Sequence, residues 1–201
     1  MITAGPTWVA IDPVRVISNT ATGKTGILLA EKLQRLGAKV HLMIGPVEPN
    51  FNHRQIKISR FCFFEELKRC LNHELRRQHF DYVFHAAAVS DYRTKRVYEK
   101  KVESGLSRWC LELVPTSKII KSIRQLAQDV FLIGFKFLPQ ASKRPLVQEA
   151  RKLMRESDCD LVVANTVHSK RYRAWIVGFK NVSREYDSRE ELVNHLIKQI
   201  S

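Results

Sequence analysis

Hydrophobic positions along this chain fall into short continuous runs, separated by segments with helical spacing. Met1-Ile2-Thr3-Ala4-Gly5-Pro6-Thr7 reads as the end of a short strand that breaks into a turn at Gly-Pro. A long loop follows from Trp8 to Ser18, with a turn at Asp12-Pro13 and Arg15 inside it. Asn19-Thr20-Ala21-Thr22-Gly23-Lys24-Thr25-Gly26 then opens onto a helix from Ile27 to Leu36, whose apolar positions 28, 29, 33 and 36 share a face before Gly37 stops it. Lys39 to Gly45 reads as a strand and Gln55 to Ile58 as a shorter one. Residues 62–78 form an amphipathic helix with Leu67, Leu71 and Leu75 on one face and Lys and Arg on the other. The apolar run Asp81 to Val89, with a strand over 81–88, has the character of a parallel strand buried on both faces, as do Val130 to Phe135 and Asp160 to Asn165.

Between these runs the pattern places a helix from Pro115 to about residue 127, capped by Thr116 or Ser117, and another from Leu146 to Arg155. Trp109 to Val114 alternates weakly, as one arm of a β-flap would, and Tyr172 to Val182 reads as a hairpin. Ser188 to Ile200 closes the chain as a helix with Glu190 and Glu191 in its first turn. Strands alternating with helices imply an α/β fold with a mostly parallel sheet covered on both faces and an enlarged first loop. No repeat, low-complexity tract or linker divides the chain, so residues 1–201 are expected to form a single domain.

Composition narrows the class. Hydrophobic residues at 44% and charged residues at 27% are ordinary for a globular chain. No apolar run reaches membrane-span length and the N-terminus lacks the pattern of a signal peptide, so a cytoplasmic location is expected, with no membrane partner. Cys62, Cys70, Cys110 and Cys159 are widely spaced among apolar or helical neighbours, which predicts buried free thiols and no metal held by the protein itself. The net charge of +14 favours anionic partners, either phosphorylated small molecules or nucleic acid. Lys and Arg are scattered, and no aromatic RNA-binding motif or zinc-finger spacing accompanies them, so nucleic acid is the less favoured partner.

The candidate chemistry gathers after the strand at residues 81–88. Small Ala86, Ala87 and Ala88 leave room for a ligand against backbone, and Asp91, Tyr92, Arg93, Lys95, Arg96, Lys100 and Lys101 follow. Ligands of open α/β sheets sit beyond the carboxyl ends of the strands, although such a stretch is also what any strand entering a solvated loop looks like. Gly23-Lys24-Thr25 before a helix falls short of a P-loop, because Ser18 stands where that motif needs glycine; what remains is an anion site at a helix N-terminus. No GxGxxG is present. Asn19 is either a turn residue or an amide able to hold a carboxylate or acyl oxygen without titrating. Asp91 is either a cap or a ligand for ribose hydroxyls or a metal–nucleotide. His85, within an apolar strand, reads as a hydrogen-bonded core residue before a base, and no motif supports a Ser-His-Asp or Cys-His hydrolase.

Taken in order, Ile2 to Thr7, Ile11-Asp12-Pro13-Val14-Arg15, Ile17-Ser18-Asn19 through Gly26, Ala86 to Arg93, Ile133-Gly134-Phe135 and Asp160 to Asn165 resemble phosphopantothenate–cysteine ligase, also called phosphopantothenoylcysteine synthetase. The resemblance implies a Rossmann-like three-layer fold and a homodimer that forms an amide in coenzyme A biosynthesis. A nucleoside triphosphate, CTP in most bacterial members and ATP in eukaryotic ones, activates the carboxylate of 4′-phosphopantothenate with magnesium on its phosphates. Cysteine then attacks the acyl-nucleotide.

By the same resemblance, Asn19 and Lys101 carry the catalysis, Lys101 matching the first lysine of a K-x-K-K motif. His85, Ala86, Ala87, Asp91, Ser117, Lys118, Ile119, Ile120, Phe135 and Lys152 match nucleotide-contacting positions, and Asn19, Ala87, Ala88 and Asp91 contact phosphopantothenate. Glu103 and Ser104 stand where further lysines of the motif fall, Glu156 or Ser157 stands where a second helix lysine falls, and Thr166 replaces the aspartate of Ala-Asn-Asp. These departures leave CTP against ATP open. The flavin-binding decarboxylase half fused in many relatives has no counterpart here, so no FMN is expected, and a separate decarboxylase becomes a possible partner. A basic nucleic-acid-binding module on the same scaffold, or a paralogue that binds without turnover, are the alternatives.

Overall fold

The computed structural model describes residues 1–50 and 55–200. In chain order its elements are β1 (Ile2–Ala4), β2 (Trp8–Ala10), β3 (Val16–Ser18), α1 (Lys24–Arg35), β4 (His41–Ile44), β5 (Lys57–Arg60), α2 (Phe64–Arg77), β6 (Tyr82–His85), β7 (Tyr92–Thr94), β8 (Leu113–Pro115), α3 (Ile119–Leu126), β9 (Phe131–Phe137), α4 (Lys143–Ser157), β10 (Leu161–His168), β11 (Arg171–Val177) and α5 (Arg189–Ile200). One seven-stranded sheet runs β11-β10-β9-β6-β1-β4-β5, and two small hairpins, β2-β3 and β7-β8, stand apart from it. All pairings in the main sheet are parallel except β10 with β11. This is the mostly parallel α/β sheet that the apolar runs imply, in the Rossmann-like form that the family resemblance implies.

The runs are continuous because both faces of each strand are covered. Met43, Val83, Leu132, Val162 and Ala164 point into a core shared with α2, α3 and α4. Their neighbours Leu42, Ile44, Phe84, Ile133, Leu161 and Val163 point into the opposite core with Leu29 of α1 and Leu192 and Leu196 of α5. The period of two along each strand thus serves two apolar layers instead of one. Gly26 lets α1 lie directly on β1: a Cβ there would come within 2.6 Å of the Ala4 Cβ.

From β1 the chain builds outward to β4 and β5, then crosses back to lay β6 on the other side of β1. The strand order reverses at the β1–β6 boundary, and in such sheets the crevice at that switch point binds the ligand.

Several local expectations are corrected. The segment from Trp8 to Ser18 is a hairpin, β2 with β3, closed by the Asp12–Arg15 turn and not an open loop. The flap pairs β7 with β8 at Leu113–Pro115, so Trp109 lies before the strand. The helix expected from Pro115 begins at Ile119, because Pro115 is spent in β8 and the Thr116 hydroxyl donates to the Ser90 carbonyl instead of capping. The last hairpin is β10-β11, turning at Ser169 and Lys170 in left-handed backbone, with a lesser bridge between Val177 and Val182. Leu36 is exposed past the end of α1, off the face assigned to it. Of the cysteines only Cys159 is buried; Cys62 and Cys70 are half-buried and Cys110 is exposed, all as free thiols.

Candidate active site

The two chain segments leaving β1 and β6 stay paired beyond the sheet edge. Ala86 N–H donates to the Thr3 carbonyl (3.1 Å), Ala88 N–H to the Gly5 carbonyl (2.9 Å) and Thr7 N–H to the Ala88 carbonyl (3.2 Å). Buried threonine hydroxyls finish the accounting: Thr3 Oγ1 accepts from Ala87 N–H and shares a hydrogen bond with His85 Nδ1 (3.0 Å), while Thr7 Oγ1 accepts from Ser90 N–H (2.9 Å). The result is a floor of half-buried small residues, Ala86 to Ala88, whose backbone polar groups are held by β1 and its exit. Thr3 and Thr7 have structural duties that their sequence context, a turn at Gly-Pro, did not signal.

His85 is buried, and burial drives its pKa down to about 4. It is a neutral hydrogen-bonded residue under the floor. On the rim above, Asn19 Nδ2 donates to the Ala88 carbonyl at 3.0 Å, and among the described residues its second N–H and its Oδ1 meet no partner. Asp91 follows the floor, and its carboxylate meets the Lys118 ammonium at 2.6 Å. Lys118 is the residue before α3 and makes no side-chain cap to it, so the helix N-terminus starts next to the Asp91–Lys118 pair without that cap. A carboxylate, a cation and a helix N-terminus at one edge are a combination that can receive a metal-bearing polyphosphate.

The other residues singled out by sequence divide. Ser117 is exposed, its hydroxyl 3.4 Å from Lys68 Nζ, whereas Ile119 and Ile120 are core residues whose side chains are committed to packing. Phe135 lies one step beyond the paired His85 and Gly134, half-buried against the α1-side core. Lys152 is exposed on α4 beside Leu153, whose side chain and that of Ile120 meet over Gly134 on the opposite face. Lys101, Glu103 and Ser104 are exposed on the long loop between β7 and β8. Thr166 is fully buried with no hydrogen-bond partner for its hydroxyl; an aspartate there would need a partner to stay charged. Among the described residues no three His, Cys, Asp or Glu side chains cluster as a metal site, and no helix is long and apolar enough to cross a membrane.

Floor, rim and switch-point crevice come together at the carboxyl end of β1 and β6, the edge at which open α/β sheets hold their ligands. The chain belongs to the family of the DNA/pantothenate metabolism flavoprotein C-terminal domain, which it matches over residues 1–200. It is 40% identical over 168 residues to the coenzyme A biosynthesis bifunctional protein CoaBC of Thermococcus kodakarensis, an alignment spanning 83% of this chain and 41% of that protein. The chain thus spans less than half of that relative. In structure it resembles the DNA/pantothenate metabolism flavoprotein of Streptococcus pneumoniae, with a TM-score of 0.89 and 26% identity over 99% of this chain and 96% of that one. It also resembles the C-terminal domain of a CoaBC protein, with a TM-score of 0.80 and 28% identity over 99% of this chain and 91% of that one.

Proposed function

We propose that this chain is a phosphopantothenate–cysteine ligase acting in coenzyme A biosynthesis. The observation that carries the reading is the rim itself: Asn19 on the Ala88 carbonyl and Asp91 on Lys118, at the switch point of a chain that matches its family from end to end.

The chemistry asks for such a rim. A carboxylate oxygen of 4′-phosphopantothenate attacks the α-phosphorus of CTP or ATP. The bond to the β-phosphate's bridging oxygen breaks, pyrophosphate leaves, and an acyl-nucleotide remains. The cysteine amine then attacks the acyl carbon, loses a proton and expels the nucleoside monophosphate. Carboxylate and triphosphate repel each other, so cations and oriented dipoles must offset their charge before the first step. Lys101 and Lys118 supply the cations, the α3 N-terminus supplies N–H groups, and Asn19 holds the carboxylate and later the acyl oxygen without itself titrating. Magnesium would arrive on the nucleotide's phosphates, with Asp91 the carboxylate placed to meet it; one or two carboxylates plus phosphate oxygens is its usual environment. Phe135 and Lys152 would contact the nucleotide from β9 and α4.

A homodimer fits the distribution of apolar surface. Val14, Val16 and Ile17 on the β2-β3 hairpin and Tyr92, Val97, Leu106 and Leu113 on the flap are exposed. Large apolar side chains concentrated on two adjacent hairpins mark an interaction face. A second copy covering that face would bring its own residues toward the rim and complete the phosphopantothenate pocket.

The test is product analysis. Mass spectrometry of a mixture with 4′-phosphopantothenate, cysteine, magnesium and CTP or ATP should show phosphopantothenoylcysteine, and with cysteine withheld it should show the acyl-nucleotide. Neither species with either nucleotide would refute the reading.

A further inference from the structure

The turn between β2 and β3 grips one residue of the long basic loop from both sides. Asp12 Oδ1 accepts the N–H groups of Val14 (2.9 Å) and Arg15 (2.8 Å), which closes the turn on itself. Its other oxygen, Oδ2, accepts the N–H of Val102 at 3.2 Å, and Arg15 Nη2 donates to the carbonyl of the same Val102 at 2.8 Å. Both backbone polar groups of Val102 are therefore held by side chains 90 and 87 positions away. The Asp12 carboxylate is wholly covered. Burial pushes its pKa up, yet the Val14, Val102 and Arg15 N–H groups and the Arg15 charge outweigh that and hold it below the ordinary value.

The grip extends along the loop. The Arg15 guanidinium lies 4.9 Å from the centre of the Trp109 ring, and Tyr98 meets the same ring at 6.1 Å. Tyr98 N–H donates to the Ile11 carbonyl at 2.9 Å, and the Thr94 hydroxyl to the Ala10 carbonyl at 2.7 Å. A loop of this length would otherwise sample many conformations. Here it is fastened at residues 94, 98, 102 and 109 to one small hairpin, and Val102 is the residue next to Lys101.

We propose that Asp12 and Arg15 are positioning residues that set the reach of Lys101 by fixing the Val102 peptide. The inference rests on the assignment of Lys101 to the triphosphate given above. A lysine on a free loop must order both loop and stem to meet a phosphate; on a fixed peptide only the stem remains to be ordered, so more of the contact energy reaches the transition state. The β2-β3 hairpin is then part of the catalytic apparatus without touching substrate.

Asp12→Asn separates this role from the turn's own stability. The variant's Oδ1 keeps the bonds to Val14 and Arg15, while its Nδ2 faces the Val102 N–H donor to donor. Arg15→Met removes the other half of the grip and leaves the Asp12 turn intact. Each variant should still melt as one cooperative folded species, at a midpoint lowered by the polar group left unpaired, and show faster amide hydrogen exchange at Val102. At a temperature well below that midpoint each should lose kcat by on the order of tenfold to a hundredfold. The KM for the nucleotide should change much less. In a Lys101→Ala background neither variant should lower kcat further by more than about twofold, since residues acting through one group are not additive.

If Lys101→Ala is slow but Asp12→Asn and Arg15→Met turn over like wild type, or multiply fully with Lys101→Ala, the positioning role is wrong and the ligase reading stands. If Lys101→Ala itself turns over like wild type, the Lys101 assignment fails and this inference falls with it.

Discussion

Asn19 Nδ2 and Thr7 N–H converge on a single acceptor, the Ala88 carbonyl, at 3.0 and 3.2 Å. The amide is thereby fixed to the floor of the crevice with one N–H to spare. Asn19→Asp would set a carboxylate against that carbonyl and beside the substrate's own carboxylate, replacing a donor with a like charge. The expected loss is about 10²- to 10³-fold in kcat, the scale of removing an oriented donor from a developing oxyanion. Because Asn19 is exposed, its thermal midpoint should move little. Steady-state kinetics with a parallel melt checks both halves.

The Asp91–Lys118 pair is more than half exposed on both sides, at 65% and 57%. Exposed pairs contribute about 0–1 kcal/mol to stability, so its value to the fold is small. Lys118→Ala should therefore leave the denaturant midpoint nearly unchanged while raising the nucleotide KM severalfold. A variant with normal nucleotide affinity would remove Lys118 from the site.

Acid should destabilise the protein before its carboxylates titrate. His85 is pushed down to about 4 by burial, and His41 to about 4 by burial and then by Lys57, with Glu74 opposing. An unfolded histidine binds its proton near 6.5 and these two do not until about 4, so the unfolded state takes up protons throughout that window. The histidine contribution is then constant above that window and is lost as pH drops through it, by about 1.4 kcal/mol per pH unit for each fully linked histidine. The buried Met1 ammonium, lowered to about 5 by burial, adds a loss of the same sign that begins at higher pH. Burial pushes the Glu74 pKa up, but the Lys57 hydrogen bond and neighbouring charges prevail and lower it, so Glu74 adds its own loss as pH falls from about 4.5, overlapping the acid end of the histidine window. Urea titrations between pH 7.5 and 4.5 should show this slope, and His85→Gln should remove about one proton's worth of it.

The apolar face on the two hairpins should hold two copies together. Ile17→Asp combined with Leu113→Asp, both exposed positions, should shift the sedimentation coefficient from dimer to monomer without loss of helical signal. A wild-type chain that sediments as a monomer would exclude the dimer outright.

What the sequence revealed and what it hid follow from range. The apolar runs at 81–88, 130–135 and 160–165 announced parallel strands because covering by helices on both faces leaves no polar alternation. The β2-β3 hairpin hid because Val16, Ile17 and Ser18 are exposed and each strand is too short to show a period. Thr116 looked like a cap because local spacing cannot tell that its hydroxyl is claimed by Ser90 across the flap. The β10-β11 turn carries no glycine, only Ser169 and Lys170 at positive φ, so the hairpin was placed too late in the chain. Asn19, Asp91 and Lys101 could be named from motif order, whereas the pairing of Asp91 with Lys118 and of Asp12 with Val102 joins distant segments. The one local signal for the latter was the Asp12-Pro13 turn, whose aspartate had a second oxygen to spare.

The most direct test of the ligase reading is pyrophosphate release by the purified chain with magnesium, cysteine and 4′-phosphopantothenate, with CTP and ATP compared side by side. The account predicts release that requires phosphopantothenate, is faster with one nucleotide than the other, and drops by orders of magnitude in Lys101→Ala. Folded protein that releases no pyrophosphate with either nucleotide, or releases it equally without phosphopantothenate, would contradict it.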